Sequence, residues 1–154
     1  DGRGYWFKKK DGSYYKAEWQ KLDGEWYYFD ADGYAVTGWR QISGKWYYFN
    51  SDCKMQTGWI SLSGRWFCLA SDGSLFTSGV HEIDGKSYYF DDDGVMHTGW
   101  VKVGDDWQYF KDDGTRVDKG IVKGDSVYII KDGALVTDDK ITVEADKDGA
   151  ISVM

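Results

Sequence analysis

The chain has 154 residues, a formal net charge of −7 and an aromatic content of 18%, including nine tryptophans. An acidic chain lacks the basic stripe that nucleic acid requires, so nucleic acid is excluded as a partner. No apolar run approaches the roughly 20 residues of a membrane span, and the two cysteines lack the spacing of a zinc site. The ring surface exceeds what a small core needs, which indicates that some rings are exposed for binding.

The sequence repeats itself about every 20 residues, with tryptophans at the same two places in most copies. Self-similarity at this period is typical of a solenoid or array rather than of a domain with a private core. We therefore predict one repeat array over residues 1–154. Its parts are a truncated first copy at 4–18, repeats at about 19–38, 39–58, 59–79, 80–99 and 100–120, and a degenerate cap at 121–154.

Each copy contains a predicted β-hairpin. In the copy from Trp39, the run 38–42 meets the pair Ser43-Gly44 and continues as the run 45–49. Asp-Gly and Ser-Gly pairs between such runs are strong turn signals, because the glycine accepts a positive φ. No stretch shows sustained helical periodicity. The predicted fold is all-β, a solenoid of stacked β-hairpins whose large rings fill the seam between neighbours.

The aromatic positions of one hairpin predict a box. Strand alternation puts Trp46 and Tyr48 on one side of the strand. It puts Tyr47 and Phe49 on the other side. Across the turn, Trp39 is expected close to directly opposite Trp46. Two cross-strand indoles and a ring of the next hairpin then make three walls, which attract a large, weakly hydrated cation such as a quaternary ammonium.

At this point the residues resemble a known family. The pattern Thr37-Gly38-Trp39 through Trp46-Tyr47-Tyr48-Phe49, repeated around Trp59 and Trp100, resembles the choline-binding, or cell-wall-binding, repeat of Gram-positive surface proteins and lysins. The resemblance runs from about Gly4 to Met154, and its last part is similar to the closing hairpin of pneumococcal-type amidase binding modules. It implies a left-handed β-solenoid with choline sites between consecutive hairpins. Each site would combine two tryptophans of one repeat with a tyrosine of the next, often near a methionine.

Carried over by position, the resemblance implies two complete cages. They are Trp19, Trp26 and Tyr48, and Trp59, Trp66 and Tyr89. A third pair is Trp39 and Trp46, with Cys68 where the third ring belongs, and Met55 matches the family's methionine. A fourth pair is Trp100 and Trp107, followed by Ile129 with Tyr128 one position away. The copy from Val80 has Val80 and Ser87 in the tryptophan positions, so no site is expected there.

The expected function is therefore non-catalytic attachment to a choline-bearing cell-wall polymer, teichoic or lipoteichoic acid, by a secreted or cell-surface protein. Neither His81 nor His97 belongs to a nucleophile motif, and the acidic clusters sit in turn positions, so no catalytic residue, metal or cofactor is expected. Any catalytic domain is expected outside this chain. Two alternatives stay open: a carbohydrate-binding repeat for glucan or host glycan, and a structural spacer of a surface adhesin whose tryptophans only pack hairpins together.

Two further expectations concern Cys53 and the tail. Cys53 replaces the glycine of a connecting turn, where a positive φ would carry a modest strain, and a Cys53–Cys68 disulfide is a hypothesis. The tail from Ile121 has lost its tryptophan pairs but keeps apolar residues. It either folds back as a cap or pairs with a second copy, giving a homodimer through the C-terminal hairpin.

Overall fold

A computed structural model describes residues 4–123, 127–137, 143–145 and 151–153. The described residues form strands, turns and loops and contain no helix. Among them there is accordingly no helix that is long and apolar enough to cross a membrane. The predicted all-β class is confirmed. The strands are β1 (Glu18–Leu22), β2 (Glu25–Phe29), β3 (Gly38–Ile42), β4 (Lys45–Phe49), β5 (Gly58–Leu62), β6 (Arg65–Leu69), β7 (Gly79–Ile83), β8 (Lys86–Phe90), β9 (Met96–His97), β10 (Gly99–Val103), β11 (Asp106–Phe110), β12 (Gly120–Lys123), β13 (Val127–Lys131), β14 (Ala134–Leu135), β15 (Val143–Ala145) and β16 (Ile151–Val153).

The chain divides into two compact units, Asp1–Phe76 and Thr77–Met154. The first unit contains three antiparallel hairpins, β1–β2, β3–β4 and β5–β6. The second contains the sheets β7–β8–β9 and β12–β13–β14 and the hairpins β10–β11 and β15–β16. Since two-stranded hairpins are marginal alone in water, those within a unit must stabilise one another by packing.

The predicted two-residue turns are confirmed. Ser43 and Gly44 have φ values of 51° and 82°, so both central residues are left-handed, as in a type I′ turn. The pair Gly104-Asp105 differs, because Gly104 has a φ of 62° while Asp105 does not have a positive φ. This is the pattern of a type II′ turn, which suits the right-handed twist of the strands equally well.

The strand register corrects one expectation. Because Ile42 pairs with Lys45 across the turn, Trp39 lies opposite Tyr48, and Trp46 lies opposite Gln41. The prediction that Trp39 and Trp46 directly oppose each other is therefore wrong by two residues. The two indoles share a face of the hairpin as diagonal neighbours, a separation that large aromatic side chains can still bridge.

The last residue of β2, β4 and β6 in the first unit, and of β8 and β11 in the second, is buried and forms the core seam of its own unit. Phe29, Phe49, Phe90 and Phe110 are fully buried, and Leu69 is 2% exposed. Burying one phenylalanine contributes about 1.5–3 kcal/mol, so this repeated position supplies much of the stability of each hairpin. The second tryptophan of a copy, three residues earlier in the same strand, points away from the seam.

One backbone hydrogen bond recurs between consecutive hairpins of a unit. The N–H of Met55 donates to the carbonyl of Trp26 at 2.8 Å, and the N–H of Leu75 donates to the carbonyl of Trp46 at 2.9 Å. The bond places the residue that follows each connecting turn beside the second tryptophan of the preceding hairpin. It therefore fixes which side chains can meet around that tryptophan.

Cys53 has a positive φ, at 63°, and its side chain is 1% exposed. Its Sγ donates to the carbonyl of Ala35 at 3.6 Å. Burial, with a smaller contribution from Asp52, raises the pKa of this thiol. The thiol is free, so the hypothesised disulfide with Cys68 is not formed.

The tail is described only in part. Strand β15 pairs antiparallel with β16, and Glu144 lies opposite Ser152. The rest of the tail beyond residue 137 lies outside the described residues, as do the side chains of these two strands. The choice between a cap and a dimer contact stays a prediction.

Candidate functional site

Aromatic rings of the first unit surround a cavity of about 360 Å³, which we call the first cage. The Trp19 and Trp26 rings meet edge to face, with centroids 6.4 Å apart and planes at 86°. The Tyr47 ring lies 4.9 Å from Trp19 at 69°. The Trp26 and Tyr47 rings thus both stand at steep angles to Trp19, so the three rings form walls rather than a stack. The cavity is lined by Trp19, Trp26, Tyr47, Met55, Ser71 and Asp72.

The third ring of the first cage is that of Tyr47, not the Tyr48 implied by the resemblance. Tyr48 packs on Trp39 of its own hairpin, with ring centroids 5.1 Å apart. Since successive side chains of a strand point to opposite faces, Tyr47 turns toward Trp19 of the preceding hairpin. The ring that faces Trp19 is therefore one residue away from the implied one.

Met55 reaches the first cage because its N–H is bonded to the carbonyl of Trp26. Gly73 lies directly against it, since a Cβ on Gly73 would collide with Sδ and Cε of Met55. Gly73 also has a φ of 83°, which side chains rarely adopt. The absence of a side chain at Gly73 therefore leaves room for the thioether, a polarisable group that packs well against aromatic rings.

The groups of the first cage that can attract a cation are the Trp26 ring face and the Asp72 carboxylate. Lys21 Nζ already lies 5.9 Å from the centroid of the Trp26 ring, a distance typical of a cation–π contact. At the rim, Asp72 accepts hydrogen bonds from the N–H and hydroxyl of Ser74 and lies 3.4 Å from Lys45 Nζ. The Ser74 bonds, and then Lys45, hold the pKa of Asp72 below its usual value. Trp26 is 42% exposed, so one wall remains accessible from solvent.

Two other tryptophans have a third ring at the position equivalent to Tyr47. Trp39 meets Phe67 at 5.1 Å and 60°, and Trp100 meets Tyr128 at 5.0 Å and 65°. Phe67 rather than Cys68 therefore supplies the ring for Trp39. In the same way, Tyr128 rather than Ile129 supplies it for Trp100. The partner tryptophans Trp46 and Trp107 are 42% and 44% exposed, close to the value for Trp26.

The implied cage of Trp59, Trp66 and Tyr89 combines residues of both units and stays a prediction. Within the first unit, Trp59 lies opposite Cys68 and Trp66 is 47% exposed. Within the second unit, Tyr89 lies opposite Val80, as Tyr48 lies opposite Trp39. By that equivalence Tyr89 holds the Tyr48 position of its repeat.

The copy from Val80, for which no site was expected, has no aromatic cage in its second-unit surroundings. The residues in the four cage positions are Val80, Ser87, Gln108 and Arg116. Arg116 donates from Nη1 to Gln108 at 3.3 Å and from Nε to Asp118 at 2.8 Å. The guanidinium is thus engaged with polar neighbours where other copies present rings.

A second aromatic cleft was missed by the sequence analysis. The Trp6 and Tyr14 rings meet at 5.0 Å and 85° beside a cavity of about 240 Å³. We call it the Trp6 cleft; its lining is Trp6, Tyr14, Lys16, Asp32, Gly33 and Tyr34. The aromatic residues of the truncated first copy indicated this cleft. The search for two tryptophans at a fixed spacing did not find it, because this copy has one tryptophan.

The histidines have ordinary surroundings. His97 Nε2 lies 2.8 Å from the Asp91 carboxylate, and His81 Nε2 lies 2.7 Å from the Thr77 carbonyl. Over the described part of the chain, no three His, Cys, Asp or Glu side chains come together as a metal site would need.

Comparison with known proteins gives a family match and several similar structures. The family model of the choline-binding repeat matches residues 16–40, 36–79 and 76–119. Choline binding protein F of Streptococcus pneumoniae, solved in the presence of a peptidoglycan analogue, is 33% identical with a TM-score of 0.82, over 89% of this chain and 45% of its own. CbpJ of the same species is 30% identical with a TM-score of 0.75, over 87% and 48%. The modular autolysin LytC, also from S. pneumoniae, is 26% identical with a TM-score of 0.66, over 94% and 34%.

This chain therefore spans less than half the length of these structures. No curated protein sequence is a significant match to it.

Proposed function

This chain belongs to the choline-binding repeat family, and we propose that it attaches a cell-surface protein to choline groups of a teichoic or lipoteichoic acid. The observation that carries the proposal is the first cage: three ring faces, a thioether and a rim carboxylate around an accessible cavity. Choline-binding repeats are a non-catalytic module. Any reaction of the whole protein would belong to a part outside this chain.

The chemistry of the first cage selects a quaternary ammonium. Such a cation is weakly hydrated and has no N–H donor, so it loses little on leaving water and gains from the electron-rich ring faces. Each ring contributes about 0.5–2 kcal/mol, which gives a single cage a dissociation constant on the order of 1 mM. Several cages on one chain, facing a polymer with many cholines, raise the effective affinity without any new contact.

Three tryptophan pairs are proposed as choline sites with revised third rings. They are Trp19 and Trp26 with Tyr47, Trp39 and Trp46 with Phe67, and Trp100 and Trp107 with Tyr128. A fourth tryptophan pair, Trp59 and Trp66, is also proposed as a choline site, and no third ring is assigned to it. The first is the strongest candidate, because Met55 and Asp72 complete its lining.

Calorimetric titration with choline tests the proposal. Choline should bind with millimolar affinity, and its uncharged isostere 3,3-dimethylbutan-1-ol should bind at least tenfold more weakly, because it has the same shape but no charge for the rings to attract. Ethanolamine, with its strongly hydrated ammonium, should also bind weakly. Equal binding of choline and the neutral isostere would refute the cation–π basis of the proposal.

The variant Trp26→Ala assigns the site. It should remove one choline equivalent, because the exposed wall of the first cage is lost, whereas the matched control Trp6→Ala should keep the full number. Binding of glucan oligomers in place of choline, with the same loss in Trp26→Ala, would favour the carbohydrate alternative. If the chain bound neither choline nor glucan oligomers, the structural-spacer alternative would be favoured.

A homodimer through the C-terminal hairpin is a separate proposal. Its support is the apolar composition of the tail, in which Ile141, Val143 and Ala145 alternate with polar residues. Light scattering of the full chain and of a variant without residues 134–154 tests it. A dimer mass that falls to a monomer mass on truncation is the expected result, and a monomer mass for both chains would leave the cap interpretation.

A further inference from the structure

Lys21 lies beside the Trp26 wall of the first cage. It is directly opposite Trp26 in the strand register, so both side chains emerge on the same face of the hairpin. Its Nζ lies 5.9 Å from the centroid of the Trp26 ring, although Lys21 does not line the cavity. The ammonium group therefore contacts the Trp26 ring from outside the space that a ligand would fill.

The positive charge of Lys21 is not balanced by an ion pair with any residue that the structure describes. Glu25, the residue before Trp26, is paired with Lys54 at 3.5 Å. Asp72 at the rim lies 3.4 Å from Lys45. Both of these carboxylates thus have another lysine as partner, and Lys21 adds an uncompensated positive charge beside the first cage.

The fold does not require a lysine at this position. The residue opposite the second tryptophan is Gln41 for Trp46 and Ser61 for Trp66, in hairpins with the same register. Trp46 is also as exposed as Trp26, at 42% each. An uncharged residue therefore supports the same hairpin and the same exposed indole, so the charge of Lys21 can be discussed apart from the backbone.

An ammonium group on Trp26 discriminates between two forms of a quaternary ammonium ligand. Free choline gains from the ring faces but is repelled by the like charge of Lys21. Choline that is esterified to a phosphodiester carries an anionic oxygen, which lies outside the rings when the trimethylammonium group lies between them, and this oxygen is attracted to Lys21. Unit charges about 8 Å apart in water interact strongly enough to change a dissociation constant about twofold.

We propose that Lys21 is a specificity-determining residue of the first cage, which makes this site favour choline esterified to phosphate over free choline. The rings and Met55 contact the trimethylammonium group in both ligands, so the preference depends on Lys21. Teichoic acids are phosphodiester polymers, and the preference would therefore direct the first cage to the polymer in the presence of free choline. This inference rests on the proposed choline function of the first cage.

The test is a titration of the full chain with choline and, separately, with glycerophosphocholine, a phosphodiester without net charge. The indole N–H resonance of Trp26, assigned from its absence in Trp26→Phe, reports on the site. Lys21→Gln should bind choline about twofold more tightly and glycerophosphocholine about twofold more weakly, so the ratio of the two dissociation constants should change about fourfold. The matched control Lys111→Gln removes the same charge from an exposed residue of the second unit and should leave the ratio unchanged.

Gln41→Lys makes the reverse change beside Trp46. It should shift the preference at that tryptophan toward glycerophosphocholine, and thermal unfolding of each variant checks that the fold is intact. The proposal is overturned if the ratio stays unchanged in either variant while both ligands still shift the tryptophan resonances, a result that leaves the choline function standing. If neither ligand shifts the Trp26 resonance in any chain, the choline function of the first cage fails, and the proposal fails with it.

Discussion

The first cage and the hairpin that begins at Val80 have the same backbone and different side chains. In the cage, the N–H of Met55 donates to the carbonyl of Trp26 at 2.8 Å; in the second unit, the N–H of Arg116 donates to the carbonyl of Ser87 at the same distance. The turns on both hairpins have left-handed central residues. The backbone arrangement of the repeat therefore does not require the cage tryptophans.

What the two hairpins share is the buried seam. Phe29 and Phe90, which end the second strand of each, are both fully buried. The second tryptophan position lies on the opposite side of that strand, the first lies on its partner strand, and the third-ring and methionine positions belong to the next hairpin. Folding and ligand binding thus depend on different positions of the repeat, so a copy can lose its cage while keeping its place in the fold.

Removal of a seam residue should give the largest effect. Phe49→Ala should lower the free energy of unfolding by about 3–5 kcal/mol, because it leaves a cavity in a site with no exposure. The control Trp26→Ala should lower it by about 1 kcal/mol, since that ring is already 42% exposed. Urea denaturation measures both. If Trp26→Ala lowered the free energy of unfolding more than Phe49→Ala does, folding and ligand binding would not depend on different positions of the repeat.

Restoration of a cage should give the next largest effect. The combined change Val80→Trp, Ser87→Trp, Gln108→Tyr and Arg116→Met rebuilds the four cage positions of the second unit on a backbone that is already arranged for them. We expect one additional choline equivalent with a dissociation constant on the order of 1 mM. Calorimetry measures the stoichiometry. An intact fold with no additional site would show that the backbone frame and four side chains are insufficient.

The glycine beside Met55 offers a smaller and more local test. Gly73→Ala places a Cβ against Met55 at a residue with a φ of 83°, whereas Gly58→Ala meets no atom within 4 Å at a φ of 74°. Both variants should lose about 1–2 kcal/mol of stability for the left-handed backbone. Only Gly73→Ala should also weaken choline binding, by several-fold, because Met55 must move. Equal choline affinity in the two variants would exclude Met55 from the first cage.

Much of this molecule could be predicted from its sequence, because hairpin structure is locally encoded. Dipeptides such as Ser43-Gly44 fix the turn, and the period fixes the copies. The prediction that proved wrong concerns the strand register within a hairpin. A two-residue turn pairs Trp39 with Tyr48, a detail that the spacing of the tryptophans alone does not reveal.

The choice of third ring depends on packing between hairpins, which no local pattern encodes. Tyr47 and Tyr48 are adjacent tyrosines of one strand, and only the face that each presents to the preceding hairpin distinguishes them. Once Tyr47 is recognised as the wall of Trp19, Phe67 and Tyr128 follow by position. One structural fact thus changes the third ring that we propose for three sites.

The smallest expected effect concerns the rim of the first cage. Hydrogen bonds from Ser74, followed by Lys45, lower the pKa of Asp72 from its usual 3.8. A lowered pKa means that the folded chain favours the ionised carboxylate. Its stabilisation is therefore complete above pH 3.8 and is lost as the pH falls through the lower folded-state value. Because Asp72 is largely exposed, the effect on the melting temperature should be about 1 °C.

Asp72→Asn isolates that carboxylate, since an amide oxygen can still accept the Ser74 hydrogen bonds but carries no charge. Choline keeps its charge at every pH, so a change in its affinity in acid reports on the protein. We expect the wild-type chain to lose up to about twofold in choline affinity as the pH falls below 3.8 and through the lowered pKa of Asp72, as the attraction of a partly screened rim charge disappears. Asp72→Asn should show the weaker affinity throughout and no such change. If the choline affinity of the wild-type chain and of Asp72→Asn fell equally in acid, the titrating group would be one other than Asp72. Choline would then be bound by the rings and Met55 without help from the rim carboxylate.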